Sequence, residues 1–380
     1  MKPIYLDYNA TTPPDPEVVE ELLPYLTVEF GNPSSGHPYG RKAREAVELA
    51  RTRLAGLLGC DPSEVIFTAG GTEANNQAII GAALANRERG NHIISTTIEH
   101  PAVLKPLEQL ARQGFSVTLL PVDATGLLDA DTVRRAITDS TVLITVMHAN
   151  NEVGTIQPLG QIGAMAREKG IIFHTDAAQS VGKIPAKTEE LGVDLLTVAG
   201  HKFYAPKGVG ALFVRRGVKV NPCLFGAGQE EGLRPGTENV PYIAALGKAA
   251  QLASHRLESD RQRIVSLRDR FHEKLKALID GVSLNGHPVE RLPNTLNVSF
   301  AGVLGARLLE AIPEIAASTG SACHEGSGEL SGVLKAMGTS PERGFGAVRL
   351  SLGRTTTAEE IELAAQLLVR GVNELRTAGH

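Results

Sequence analysis

Cysteine is scarce in this sequence, three in 380 residues. Cys60, Cys223 and Cys323 are far apart and form no CxxC pair, which excludes a disulfide framework and leaves no structural zinc signature. No apolar run approaches the ~20 residues of a membrane span, since the longest small-residue stretch, 78–85, has a glycine inside it. The opening MKPIYLDYN is charged and polar where an export signal needs an apolar run. The sequence therefore predicts no membrane contact and a reducing, cytoplasmic setting. An excess of charge is missing too: 38 Lys+Arg stand against 42 Asp+Glu, net −4, which argues against a nucleic-acid partner. Neither GxGxxG nor GxxxxGK[ST] occurs, so a dinucleotide or a nucleoside triphosphate is not the favoured ligand. There is no internal repeat and no low-complexity linker.

Glycine, by contrast, is abundant: 40 residues against a typical share of about 7%. From about 40 to 215, helical and extended patterns alternate, as a sheet with helical crossovers requires. Ala43, Ala46, Val47, Ala50, Leu54, Leu57 and Leu58 recur at helical spacing before Asp61-Pro62 breaks the pattern. Short β-rich runs follow at 65–67, His92–Thr96, 117–120, 142–147, 171–174, 195–198 and 211–214. Seven strands in one mainly parallel α/β sheet are predicted. After about 240 the texture changes to helices over 241–257 and 260–279, strands near Thr295–Phe300 and 348–352, and a last helix opened by a Thr357/Glu360 capping box. The division expected is a large α/β domain over 13–255 and a smaller α+β domain from 1–12 and 256–380.

Ligands collect at the carboxyl ends of parallel strands, so the residues just after each strand carry the argument. Gly70-Gly71-Thr72 before a helix has the form of an anion cradle, or else of a plain turn with Thr72 as N-cap. Asp176 ends a strand buried on both faces and needs a positive partner. Lys202 answers as a simple ion pair or as a Schiff-base lysine, with Asp176 on the ring nitrogen of pyridoxal phosphate. His100, His148, His174 and His201 all fall at strand ends, which admits a rival metal-dependent hydrolase, although no HxH or HExxH spacing occurs. Cys60 and Cys223 sit in apolar settings, as core residues do, while Cys323 lies in the polar STGSACHEGSGEL and is a candidate nucleophile. Arg349, inside an apolar strand, needs an anion: a substrate carboxylate or a buried ion-pair partner.

YLDYNATTP, GNPSS, FTAGGTEANN, EHPA, MHANNEVGTIQP, HTDAAQ, GHKFYAPKGVGAL, RPGTENVP, LPNTLNVSF, TGSAC and VRLSLGR together resemble the fold-type I pyridoxal-phosphate enzymes of the class V aminotransferase family. Within it the likeness is to group I cysteine desulfurases. The resemblance implies pyridoxal 5′-phosphate as cofactor and L-cysteine or L-selenocysteine as substrate. Lys202 would carry the cofactor and His100 stack on its ring. Asp176 would pair with the ring nitrogen, and Asn151 and Gln179 would address the ring substituents. Gly71, Thr72 and His201 would hold the phosphate. Thr237 would reach the phosphate of a neighbouring subunit, implying a homodimer. Arg349 and Asn32 would bind substrate, and Cys323 would take the sulfur as a persulfide and pass it to an acceptor such as an iron–sulfur scaffold protein. Many relatives carry a serine, another phosphate ligand, where this chain has Ala199. His324 after Cys323, with RPGTENVP and RLPNT, resembles selenocysteine lyases instead. A non-catalytic scaffold is the remaining alternative.

Overall fold

The structure, a computed structural model, describes residues 2–319 and 330–378, so Cys323 and His324 lie outside the described residues. The chain opens with a two-residue strand, β1 (Ile4–Tyr5), and then lays down β2 (Val65–Thr68), β3 (His92–Thr96), β4 (Ser116–Leu120), β5 (Thr141–Thr145), β6 (Ile172–Asp176), β7 (Leu195–Ala199) and β8 (Gly210–Val214). Strands β2 to β8 form one sheet in the order β2-β8-β7-β6-β5-β3-β4. All seven expected strands are present. Only β8 runs against its neighbours β2 and β7. The ten residues between β7 and β8 are too few for a helical crossover, which needs about a dozen or more, so the chain turns back on itself there.

The helix Pro38–Leu58 buries every one of the seven periodic residues named above. It stops at Gly59, whose φ of 69° is costly for other residues. It packs with the first half of a helix over Val240–Leu278 on one face of the sheet, around Phe173 and Val198. The helices Gly71–Ala85 and Pro101–Arg112 cover the other face, over Ile93, Leu143, Leu195 and Leu212. Truncating a fully buried residue such as Leu54 would cost about 2–5 kcal/mol.

The helices expected at 241–257 and 260–279 are one helix of 39 residues, Val240–Leu278. Ser259-Asp260 reads like an N-cap, but Ser259 Oγ bonds back to the Arg256 carbonyl and Asp260 accepts from Arg354, so neither side chain caps. Its first half belongs to the large core; Ile264, Leu267, Phe271 and Leu275 belong to a second core. That core lies on a three-stranded antiparallel sheet of β9 (Val282–Asn285), β10 (Thr295–Phe300) and, after β11 (Ile315–Ala316), β12 (Ala347–Ser351), in the order β12-β10-β9. Ile4 and Leu6 join it because β1 pairs in parallel with β11. The final helix, Ala358–Ala378, starts with the expected box: Glu360 N donates to Thr357 Oγ1 at 3.1 Å and Thr357 N to Glu360 Oε2 at 2.9 Å. Among the described residues, no helix is long and apolar enough to cross a membrane.

Candidate active site

The carboxyl ends of β2, β3, β6 and β7, together with the N-terminal segment and β12, enclose a cavity of about 290 Å³. Ten expected site residues line it: Gly71, Thr72, His100, Asn151, Asp176, Gln179, Ala199, His201, Lys202 and Arg349. Asn32 and Thr237 do not. Both are exposed, in segments whose neighbours Ser34 and Glu238 border a separate cavity of about 810 Å³. The expectation for Cys323 falls outside the described residues.

Thr72 is not an N-cap. The N-cap of the helix Gly71–Ala85 is Gly70, two residues earlier, with φ 152° and no side-chain cap. Its first amides are left for a ligand, and the positive helix end favours an anion. A Cβ on Gly71 would stand 3.1 Å from the Ala199 Cβ, a tight contact that crowds the cradle. The family's serine position is thus filled here by a methyl group packed against the cradle.

Lys202 and Asp176 make no ion pair with each other. Lys202 Nζ donates to the carbonyl oxygens of Asn9 and Ala10 at 2.7 and 2.8 Å. Burial, then the charge of Arg349, pulls its pKa down to about 8 against the pull of Asp176 and Asp7. Asp176, 7% exposed, accepts from Asn75 Nδ2 at 2.7 Å and from Ala178 N at 2.9 Å. Arg349 has the buried ion-pair partner that one of its readings expected, in Asp7. It lines the cavity, yet Nη2 donates to Asp7 Oδ1 at 2.7 Å and Nη1 to the Asn151 carbonyl at 3.1 Å, while Nε is buried with no partner.

The four histidines part company. His174 is fully buried between Thr145 and Thr197, at 2.8 and 3.1 Å, with a pKa driven down to about 3 by burial. His148 is buried away from the cavity and held neutral, its pKa lowered to about 4 for the same reason. His201 lines the cavity with Nδ1 against Thr11 Oγ1 at 3.1 Å, and burial takes its pKa to about 4. His100 caps the helix Pro101–Arg112, its Nδ1 accepting from Ala102 N at 3.1 Å. That nitrogen bears no proton, so a neutral His100 carries its proton on Nε2. Lost solvation lowers its pKa, with Asp176 opposing. Among the described residues no three His, Cys, Asp or Glu side chains gather as metal ligands.

Sequence reasoning missed Asn9, Asn75 and Asp7 as site residues. Asn9, 1% exposed, holds Lys202 through its carbonyl, and Asn75 fixes Asp176. Each lay inside a motif quoted above, but only its partner, 101 to 342 residues away, marks it as functional. Cys60 packs half-buried against the large core, whereas Cys223 is half-buried outside the apolar clusters, its Sγ against the Asn76 carbonyl; burial pushes both thiols up, that of Cys60 to about 12.

A half-free amine, a buried carboxylate and an uncapped helix end in one cavity define an enzyme that works through a phosphorylated carbonyl cofactor. The family described as aminotransferase class-V matches residues 4–363, and the chain belongs to that family. A curated relative from Methanosarcina thermophila, "Cysteine desulfurase IscS", is 48% identical over 377 residues, 99% of this chain and 93% of its own. One of the same description from Dictyoglomus turgidum is 46% identical over 98% of this chain and 95% of its own. Among solved structures, a "NifS-like protein" superposes with a TM-score of 0.92 at 36% identity, covering 98% of this chain and all of that one. "SspA in complex with cysteine" gives 0.82 at 38%, covering 92% and 98%.

The family's cofactor is pyridoxal 5′-phosphate, and the cavity fits it. The cradle has unclaimed amides beside Gly71, the Lys202 amine is pre-set for a carbonyl, and Asn75 Oδ1 is buried in the wall with no partner.

Proposed function

We propose that the chain is a cysteine desulfurase that converts L-cysteine to L-alanine and places the sulfur on Cys323. The observation that carries this reading is the convergence of Lys202, Asp176, His100 and Arg349 on one cavity. Pyridoxal phosphate supplies the electron sink for a carbanion at the substrate Cα. Gly71, Thr72 and His201 would hold its phosphate, His201 through the Nε2 left over by Thr11. Asp176 would meet the ring nitrogen, held in place by Asn75. Gln179 and Asn151 would face the ring substituents.

Lys202, with its pKa at about 8, is unprotonated at Nζ in a far larger fraction near neutral pH than an ordinary lysine, and so is available to take a proton there. His100 is placed to give or take a proton at Nε2. Arg349 would bind the substrate carboxylate, sharing the head group that Asp7 now holds. The Cys323 thiolate would attack the substrate sulfur. An S–S bond forms, the Cβ–S bond breaks, and the pair left on Cβ is protonated, so alanine leaves and Cys323 carries a persulfide. A sulfur acceptor, such as an iron–sulfur scaffold protein, would then take that sulfur.

The relatives named above favour cysteine over selenocysteine. A homodimer is supported by Asn32 and Thr237, which are exposed and do not line the chain's own cavity. The cofactor-binding domain would be 13–255 and the smaller domain 1–12 with 256–380, dividing within the long helix where its two halves enter different cores. The same chemistry suits a cytoplasmic enzyme.

The test is alanine formation from cysteine and from selenocysteine, with and without Cys323→Ala. Loss on cysteine in the variant, with cofactor still bound, supports the proposal. Turnover of selenocysteine alone by the unaltered chain overturns it.

A further inference from the structure

A second lysine lies beside the site without lining its cavity. Lys183 Nζ donates to Gln179 Oε1 at 2.8 Å and to Asn9 Oδ1 at 3.2 Å, and it makes no ion pair among the described residues. Gln179 Nε2 donates to the Asn9 carbonyl at 2.9 Å, the same oxygen that receives Lys202 Nζ at 2.7 Å. Asn294 Nδ2 also donates to Asn9 Oδ1, at 2.9 Å.

A side-chain amide has a donor end and an acceptor end of nearly the same shape, and only its neighbours decide which way it lies. Turning Gln179 over would put its N–H groups against the Lys183 amine and its oxygen against the Asn9 carbonyl. The oxygen–oxygen contact would be repulsive, and the Lys183 N–H that now points at Gln179 Oε1 would lose its acceptor. Turning Asn9 over would set its NH₂ against two donors, Lys183 and Asn294. Burial, then the charges of Lys202 and Arg349, pushes Lys183 well below the ordinary lysine range, and a neutral amine still has an N–H for each of its two acceptors.

We propose that Lys183 is a positioning residue: it fixes the polarity of the Gln179 amide, so that Gln179 offers the cavity an N–H and never its carbonyl oxygen. The ligand group this selects is an oxygen substituent on the cofactor ring. The inference rests on the reading of pyridoxal phosphate as occupant.

The experiment compares two ligands on the apoprotein: pyridoxal 5′-phosphate and its 3-deoxy analogue, which lacks the ring oxygen, each titrated by absorbance. A neutral hydrogen bond contributes about 0.5–1.5 kcal/mol, so the wild-type preference for the oxygen-bearing ligand should exceed that of Lys183→Met by about two- to tenfold. A merely structural role would weaken both ligands alike. An unchanged ratio in Lys183→Met therefore overturns the inference, whatever happens to the absolute affinities. A wild-type chain that binds neither ligand refutes the occupant instead. Should Lys183→Met fail to fold, Lys183→Gln, whose head accepts as well as donates, is read by the same ratio.

Discussion

The basicity of Lys202 governs how fast the chain can take up a carbonyl cofactor, because only the unprotonated amine attacks. An amine that titrates at about 8 is ~10% neutral at pH 7, against ~0.03% for a lysine at its ordinary value, a gain of roughly 300-fold. Burial is the largest cause and the charge of Arg349 the next, while Asp176 and Asp7 act in the opposite sense. Arg349→Gln removes a lowering charge and frees Asp7, so the Lys202 pKa must rise. A rise from about 8 to about 9 would cut the free amine at pH 7 roughly tenfold. The assay is the second-order rate of pyridoxal phosphate capture by the apoprotein between pH 6 and 10. Dividing by the rate for Nα-acetyl-lysine under the same conditions cancels the cofactor's own titrations. Because the reference amine is still gaining its free form up to about pH 10, the wild-type ratio should hold level below a midpoint near 8 and fall above it, and the Arg349→Gln ratio should turn down at higher pH. His201, lowered to about 4, does not titrate in this window, and Lys183→Met separates any contribution from the neighbouring amine. A wild-type midpoint near 10, or a downward move in Arg349→Gln, refutes the reasoning.

Glu99 is buried beside the strand ends, its Oε1 accepting from Met147 N at 2.9 Å and Thr96 Oγ1 at 2.8 Å, and burial lifts its pKa to about 8. A raised carboxyl pKa favours folding fully below the unfolded value near 4.3 and loses that contribution as pH climbs to about 8. Glu99→Gln should therefore gain in melting temperature relative to wild type between pH 5 and pH 8; a shrinking difference contradicts the assignment. Glu230 receives Arg51 through both carboxylate oxygens, at 2.8 and 2.9 Å, and also Phe67 N at 2.8 Å, just ahead of the cradle. Glu230→Ala strips a largely buried guanidinium of its bidentate partner, leaving it the exposed Glu48 at 3.2 Å and the Val65 carbonyl, and should cost up to about 3–5 kcal/mol, read as the shift in a urea unfolding curve; a loss near zero would show that the pair is solvated.

The strands were legible because β-branched runs bounded by helix-length segments leave few alternatives, and the cradle because Gly70-Gly71 precedes a helix. The reversal of β8 was not, since a strand's apolar pattern is blind to direction; only the short connection before it carried that information. The long helix was split at Ser259-Asp260 because local capping chemistry is the same whether or not a distant Arg354 claims the aspartate. Asp7, Asn9, Asn75 and Lys183 escaped notice for a related reason. Each is an ordinary polar residue in its own neighbourhood and becomes part of a site only through folding. The resemblance found the residues that face a ligand, while the groups that hold those residues came from the structure.

Asn9 leads the chain yet depends on what comes last. It is fixed by Asn294 and by Ser351, 285 and 342 residues further on. At roughly 5–20 residues per second of synthesis, the segment that grips Lys202 waits about 15–70 s for those partners to be made. A nascent or truncated chain can fold its large sheet but cannot finish the carbonyl cage around the amine. Order of synthesis thus leaves the hydrogen-bond shell of the lysine to be completed last.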